Sequence, residues 1–244
     1  MKKRLDIAMV ERGLAASRTQ AQALVMEGKV RVAGQTEYKP SRQIDDAASV
    51  EVEAPPRFVS RGGEKLEGAF DRWGPALSAE GKTCLDVGSS TGGFTDCLLQ
   101  HGAARVMAVD VGTNQLAYSL RVDPRVWVRE NFNARFMKPS DLPETPSLAV
   151  TDVSFISLKL ILPPIRDVLA DGGEIVALIK PQFEVGKGNA PGGLVRDERL
   201  RIEARDGIVR FAEEKLGLAL LGLAESPIKG RDMGNVEYLS YWRK

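Results

Sequence analysis

From Ser60 to the end of the chain, short apolar runs alternate with stretches of helical periodicity. Strand-like runs fall at residues 83–87, 105–109, 126–129, 148–151 and 173–179, with further ones near 218–224 and 236–242. Helical patterns occupy 94–100, 157–169 and 198–216, between most of them. Strands that are apolar on both faces need cover on both sides, so the alternation predicts a doubly wound α/β domain with a parallel sheet between helix layers. Such sheets bind ligands beyond the carboxyl ends of their strands, where strand order reverses. The strand tips are therefore where chemistry is expected, whereas Trp73, Trp127 and Trp242 are expected in the core.

Residues 1–54 follow another rhythm. Leu5, Ala8, Met9 and Leu14 recur at helical spacing with a stop at Gly13. Ser17 opens a second helix, with Gln20 as its capping partner, Ala21, Leu24 and Val25 as its buried stripe and Gly28 as its end. Val30 and Val32, a turn at Gly34, and Val50 and Val52 complete a small α+β unit. Residues 55–60, opening with Pro55-Pro56, read as a linker, and 61–244 as the α/β domain.

The whole chain carries a net charge of +1, but residues 1–43 hold nine Lys and Arg against four acids, which leaves the remainder at −4. A basic head on a mildly acidic body suits an anionic partner, most commonly nucleic acid, with a solvated helix face as the alternative. No apolar run approaches the roughly 20 residues needed to span a bilayer. Asp6, Glu11 and Arg12 interrupt what would be the core of a signal peptide, so neither secretion nor membrane insertion is expected. Two cysteines, Cys84 and Cys97, cannot build a disulfide framework, and a reducing cytoplasm fits them. With a single histidine they cannot form a structural zinc site either, and no metal is expected. His101 sits in Gln100-His101-Gly102, which reads as a helix end rather than as a catalytic position.

The first strand leads into Asp86-Val87-Gly88-Ser89-Ser90-Thr91-Gly92-Gly93-Phe94. Glycines there let the backbone turn tightly and approach a ligand. Twenty-two residues past Gly88, Asp110 stands at the tip of the second strand, where an acid can accept hydrogen bonds from both hydroxyls of a ribose. Together they point to an adenosine-containing cofactor. Ser90 replaces the second glycine of a dinucleotide loop, and no lysine follows Gly92-Gly93 as in a phosphate-clasping loop. The form Asp-x-Gly-x-x-x-Gly-Gly suits S-adenosylmethionine, whose sulfonium needs acids such as Asp86 nearby rather than a phosphate cradle. A nicotinamide dinucleotide and a plain structural turn are the alternatives.

Asp152 ends the fourth strand and Lys180 the fifth, and in doubly wound order these strands are neighbours. Burial and a nearby cation favour a lysine's neutral amine, which can act as a general base. An ion pair closing the strand ends is the alternative. Asp152-Val153-Ser154-Phe155 is unlike the Asn/Asp-Pro-Pro-Tyr of enzymes that methylate base nitrogens, and the cysteines do not suit carbon-five methylation.

Ser60-Arg61-Gly62-Gly63-Glu64-Lys65-Leu66, the glycine loop, residues 152–158, Lys180-Pro181-Gln182-Phe183-Glu184, and residues 229–238 together closely resemble the TlyA family over nearly the whole chain. The resemblance implies a small N-terminal RNA-binding domain like that of ribosomal protein S4, joined to an FtsJ-like domain. That domain is a Rossmann-like class I S-adenosylmethionine-dependent methyltransferase acting on the ribose 2′-hydroxyl of cytidine in ribosomal RNA. It implies a catalytic Lys65, Asp152, Lys180 and Glu237, two of which strand position already selects. The cofactor set is Asp86, Gly88, Ser89, Ser90, Thr91, Gly92, Gly93, Asp110, Asn133 and Asp152. Asn131 and Asn133 stand where related enzymes meet the adenine, although Phe132 departs from the family's Thr-Asn. Arg4, Arg18, Lys29, Arg31 and Arg61 are the expected RNA contacts. Longer members are associated with both ribosomal subunits and shorter ones with the large subunit, so 23S rRNA is the expected target, with 16S rRNA in second place. Residues 186–193, rich in glycine, are expected to form a loop beside the site. A non-enzymatic ribosome assembly factor and a membrane-lytic haemolysin are the competing classes.

Overall fold

Helical spacing puts Leu5, Ala8 and Met9 on one face, and in the computed structural model they are buried on α1 (Leu5–Glu11), which follows a short strand, β1 (Lys2–Arg4). Helix α2 (Arg18–Met26) starts where the Gln20 N–H donates to Ser17 Oγ at 3.2 Å. Gln20 Oε1 in turn accepts the N–H of Ala16 at 2.7 Å, so the capping partnership closes one residue further back than the usual box. Strand β2 (Val30–Val32) pairs antiparallel with β3 (Gln35–Glu37) on one side and β5 (Val50–Val52) on the other. Strand β4 (Gln43–Asp45) pairs with β1, a contact between strands too short to show a period. Leu5, Met9, Ala21, Val25, Val30 and Ile44 form this unit's core.

The structure describes residues 2–54, 56–186, 188–230 and 233–244. Met1, Pro55 of the expected linker, Lys187 of the expected loop, and Arg231 and Asp232 of the last motif lie outside the described residues. The chain divides into compact units at 1–57 and 58–244. Phe58, expected within a linker at 55–60, is instead 4% exposed and packs with Leu66 and Phe70 of the larger unit.

In that unit α3 (Gly62–Trp73) precedes β6 (Thr83–Val87), α4 (Gly93–Gln100), β7 (Arg105–Val109), α5 (Tyr118–Arg121), β8 (Val126–Arg129) and β9 (Leu148–Thr151). Then come α6 (Leu162–Val168), β10 (Glu174–Ile179), α7 (Glu198–Leu216), β11 (Ala219–Glu225) and β12 (Tyr238–Arg243). The sheet order is β11-β12-β10-β9-β6-β7-β8. Strands β6 to β10 are parallel, but β12 runs antiparallel to both β10 and β11, so the sheet is mixed rather than wholly parallel. Among the described residues no crossover helix separates β11 from β12, and an antiparallel partner needs none. Cores lie on both faces: Cys84, Val176 and Leu178 point into one, Leu85, Ile175 and Ala177 into the other. Trp242 is fully buried, while Trp73 and Trp127 are partly buried against these cores.

The helix expected over 157–169 is shorter. A 3-10 turn (Leu158–Leu160) precedes α6, because Pro163 and Pro164 lack N–H donors and fit only a helix's first turn. No described helix is long and apolar enough to cross a membrane. What matters for the site is the order reversal: the chain runs outward from β6 through β7 to β8, then resumes at β9 on the other side of β6. The tips of β6 and β9 therefore flank the crevice where such sheets bind ligands.

Candidate active site at the strand tips

Lys65 projects from α3, Asp152 follows β9, Lys180 follows β10 and Glu237 precedes β12, and the four side chains meet. Lys65 Nζ lies 2.7 Å from Glu237 Oε2 and 3.3 Å from Asp152 Oδ2, while Lys180 Nζ lies 2.6 Å from Asp152 Oδ1. Lys180 also donates to Ser154 Oγ at 2.7 Å. The side chains of both lysines and of Glu237 are at most 10% exposed. Burial alone would push the Lys65 ammonium down, but the carboxylates of Asp152 and Glu237 outweigh it and hold its pKa above the ordinary lysine value.

Two chambers open here, of about 500 and 530 Å³. Gly88, Ser90, Asp152 and Ser154 line both, so the chambers lie side by side. The first is bounded by the start of α3 and by Ser89, Thr91 and Gly93 of the glycine loop, and it takes in Lys65 and Lys180. The second is bounded by Asp110, Phe132, Asn133 and Phe155. Gly88 has φ +81°, and a Cβ there would sit 2.9 Å from Val153. Gly93 is needed for another reason: a Cβ would fall 2.7 Å from the Gly63 nitrogen, where α4 meets α3. Asp110 stands at the tip of β7 and accepts the N–H groups of Ser90 at 2.8 Å and Gly112 at 2.6 Å, which fixes the loop against it.

Two of the expected cofactor residues do not line either chamber. Asp86 is fully buried beneath the loop, where Thr95 Oγ1 donates to its Oδ2 at 2.7 Å and Oδ1 has no hydrogen-bond partner. Burial, reinforced by the carboxylates of Asp152 and Asp110, pushes its pKa up to about 7. Gly92 turns the loop at φ +98° against Leu116 and Leu120. Asn133 does line the second chamber, with Oδ1 accepting the N–H of Arg135 at 3.1 Å.

In the N-terminal unit the basic candidates have different surroundings. Asp6 is fully buried and accepts from Arg4 at 2.9 and 3.0 Å, Arg18 at 3.0 Å and Gln22 at 2.8 Å. The Arg4 hydrogen bonds lead the causes that hold the Asp6 carboxyl well below the usual carboxylate range. Lys29 pairs with Glu27 at 2.7 Å, and Arg31 is exposed on β2 with Glu51 as its cross-strand neighbour. Arg61, in the larger unit, lines the first chamber and donates to the Lys229 carbonyl at 3.4 Å. His101 caps the end of α4, its ring stacked on Phe70 and its Nε2 2.7 Å from Glu67.

Several residues at the site carry no signal in the sequence pattern. Ser154 contacts Lys180. Glu184 accepts from Ser157 Oγ at 2.6 Å and the Leu158 N–H at 2.8 Å, tying the segment after β10 to the one after β9. Phe155 is 89% exposed at φ +64°, its ring leaning on Phe183. Their hydroxyl, carboxyl and ring belong to segments without periodicity, where only a motif could have singled them out.

A reversed α/β sheet with a glycine loop after its first strand, an acid at the tip of the next, and no cation in the loop defines a Rossmann-like methyltransferase fold. Residues 58–244 match the FtsJ-like methyltransferase family and residues 3–49 the S4 domain. The chain belongs to the FtsJ-like methyltransferases, in the TlyA group that carries an S4 domain. It is 46% identical over 243 residues to the 16S/23S rRNA (cytidine-2′-O)-methyltransferase TlyA of Mycobacterium tuberculosis, covering 98% of this chain and 89% of that one. It is 45% identical over 244 residues to Hemolysin A of Brachyspira hyodysenteriae, covering 98% and 99%. A solved Streptococcus thermophilus structure described as a hemolysin superimposes with a TM-score of 0.76 at 44% identity, covering 100% of this chain and 88% of that one.

Proposed function

We propose that this chain transfers a methyl group from S-adenosylmethionine to the ribose 2′-hydroxyl of a cytidine in ribosomal RNA, with 23S rRNA as the first target and 16S rRNA as the second. The substrate and reaction are those in the name of the M. tuberculosis relative. The observation that carries the reading is the meeting of Lys65, Asp152, Lys180 and Glu237 beside the first chamber, which Lys65, Asp152 and Lys180 line.

The donor set fits the cofactor. Residues 88–93 contain no cation to hold a phosphate, and Asp86 lies beneath the loop, where its charge would reach a cation bound above only through space. In this reading Asp110 takes the ribose hydroxyls, Asn133 lies on the adenine side, and Gly88 to Gly93 bound the methionine end. When bound, S-adenosylmethionine supplies a methyl group whose C–S bonding pair returns to sulfur.

The chain's own residues then have separate tasks. Lys180, entering as the neutral amine, takes the proton from the 2′-hydroxyl as that oxygen forms its new bond to carbon. Lys65, kept cationic by its two carboxylates, stabilises the negative charge developing on the oxygen. Asp152 orients both amines, and Glu237 balances Lys65. Only RNA carries a 2′-hydroxyl, so the chemistry selects the substrate class. Phe155 offers an exposed face on which an unstacked base can rest. Arg4, Arg18, Lys29, Arg31 and Arg61 serve the phosphate backbone, and the expected compartment is the cytoplasm.

The test is incubation of the protein with methyl-labelled S-adenosylmethionine and ribosomal RNA or subunits. Label in 2′-O-methylcytidine is expected. RNA binding with no label would make the chain a non-catalytic RNA-binding factor, and release of liposome contents would favour the membrane-lytic class.

A further inference from the structure

Ser154 lies two residues past Asp152, exposed on the segment that follows β9, and it lines both chambers. Its Oγ is 2.7 Å from Lys180 Nζ and accepts a hydrogen bond from it. Asp152 Oδ1 lies 2.6 Å from the same nitrogen. We propose that Ser154 is a positioning residue for methyl transfer: its hydroxyl fixes the rotation of the Lys180 amine so that the nitrogen's remaining bonding direction faces the substrate oxygen. This rests on the reading of Lys180 as the base.

A neutral amine has two N–H bonds and one lone pair, arranged tetrahedrally with its carbon. The hydrogen bond to Ser154 pins one N–H and so holds the amine against turning about its Cε–Nζ bond, which leaves the lone pair two directions. Asp152 Oδ1, an ion-pair contact at 2.6 Å without hydrogen-bond geometry, draws the second N–H towards itself by charge and leaves the lone pair the other direction. Lys180 itself lines the first chamber, from which a hydroxyl can arrive. After the step the transferred proton occupies the lone pair's position, and the ammonium keeps both original contacts. Ser154 donates and receives no net proton in this account. The carboxylate alone cannot do this, because Asp152 is shared with Lys65 and holds each amine through a different oxygen.

A hydroxyl used for aim has a signature that a merely structural one lacks. Ser154→Ala removes the acceptor at an exposed position, and Ser154→Thr restores an oxygen on the same carbon. With the full chain, S-adenosylmethionine and ribosomal RNA, Ser154→Ala is expected to lower kcat on the order of tenfold, equivalent to about 1.4 kcal/mol. KM for RNA and the cofactor Kd should stay within about twofold, since uniform binding is untouched. Ser154→Thr should recover most of the lost kcat. A normal kcat in Ser154→Ala, a loss that falls mainly on KM or cofactor affinity, or a Thr variant no better than Ala would overturn the proposal. Lys180→Ala, run alongside, separates the two ideas. If it is inactive while Ser154→Ala is normal, only the role of Ser154 falls; if it is active, the base assignment falls as well.

Discussion

Both units place a buried carboxylate among cations, yet only one arrangement is suited to moving a proton. In the N-terminal unit Asp6 gathers Arg4, Arg18 and Gln22, and its cationic partners are arginines. In the larger unit two acids alternate with two lysines beside an open cavity. An arginine stays protonated throughout the working range of a protein, so a cluster built on it can hold geometry and present charge but cannot act as a base. A lysine in contact with a cavity loses its proton more readily when a second cation is close, whereas a carboxylate beside it favours the ammonium. The difference in cation type therefore separates scaffold from chemistry more sharply than burial does.

The strongest way to break this contrast is Lys65→Ala, which removes one of the two cations and leaves the buried Glu237 without its partner. Methyl transfer should fall by about 10²- to 10³-fold, as when one stabilising donor is removed from a developing anion, with RNA affinity nearly unchanged. Rapid-quench transfer of labelled methyl groups measures it, and a loss of RNA binding instead would move Lys65 out of the chemistry.

The Asp6 cluster should respond in stability rather than in rate. Asp6→Ala leaves Arg4, Arg18 and Gln22 without their shared acceptor and should cost the N-terminal unit about 1–3 kcal/mol in chemical denaturation. The pH dependence follows in sign. The folded carboxyl titrates below its unfolded value, so its stabilisation is fully present above about pH 4 and is lost as pH falls further through the folded pKa. An unfolding midpoint that is flat from pH 5 to pH 2 would contradict this.

Asp86 gives a smaller, opposite effect. Its folded pKa is raised to about 7, so in the unliganded protein it subtracts stability as pH rises from about 4 through 7. A bound sulfonium favours the ionised form. Affinity for S-adenosylmethionine should therefore tighten about three- to tenfold between about pH 6 and 8, and affinity for the uncharged product thioether should change less. Calorimetry with both ligands checks it; equal pH slopes would show that the cofactor's charge does not sense Asp86 beneath the loop. The least effect is expected at Arg31, exposed and free of the Asp6 network. Arg31→Ala should weaken RNA binding a few-fold and reduce the slope of log affinity against log salt by about one, without unfolding the unit.

Much of the fold was legible because apolar alternation marks strands directly: β6, β7, β8 and β9 lie where their runs predict. Direction was not legible, since an apolar run reads the same in a parallel or an antiparallel strand, and β12 runs against its neighbours. At the site, Asp152 and Lys180 were visible as polar residues at the ends of apolar strands. Lys65 and Glu237 stand on a helix and ahead of an edge strand, where no period marks them, and only the resemblance named them. The sequence does not show that the Asp86 side chain turns under the loop to Thr95, because nothing in a strand's period tells which way its last residue faces. Asp6 was invisible as a hub because an acid in the first turn of a helix ordinarily faces solvent and the helix dipole.

The most direct measurement of the central claim is single-turnover methyl transfer to ribosomal RNA by Lys180→Ala and Lys180→Arg, with cofactor binding measured in parallel. Both variants should bind S-adenosylmethionine while the transfer rate falls by about 10²- to 10⁴-fold, because alanine has no amine and arginine cannot accept the proton. A transfer rate near that of the unaltered chain in either variant would contradict the account.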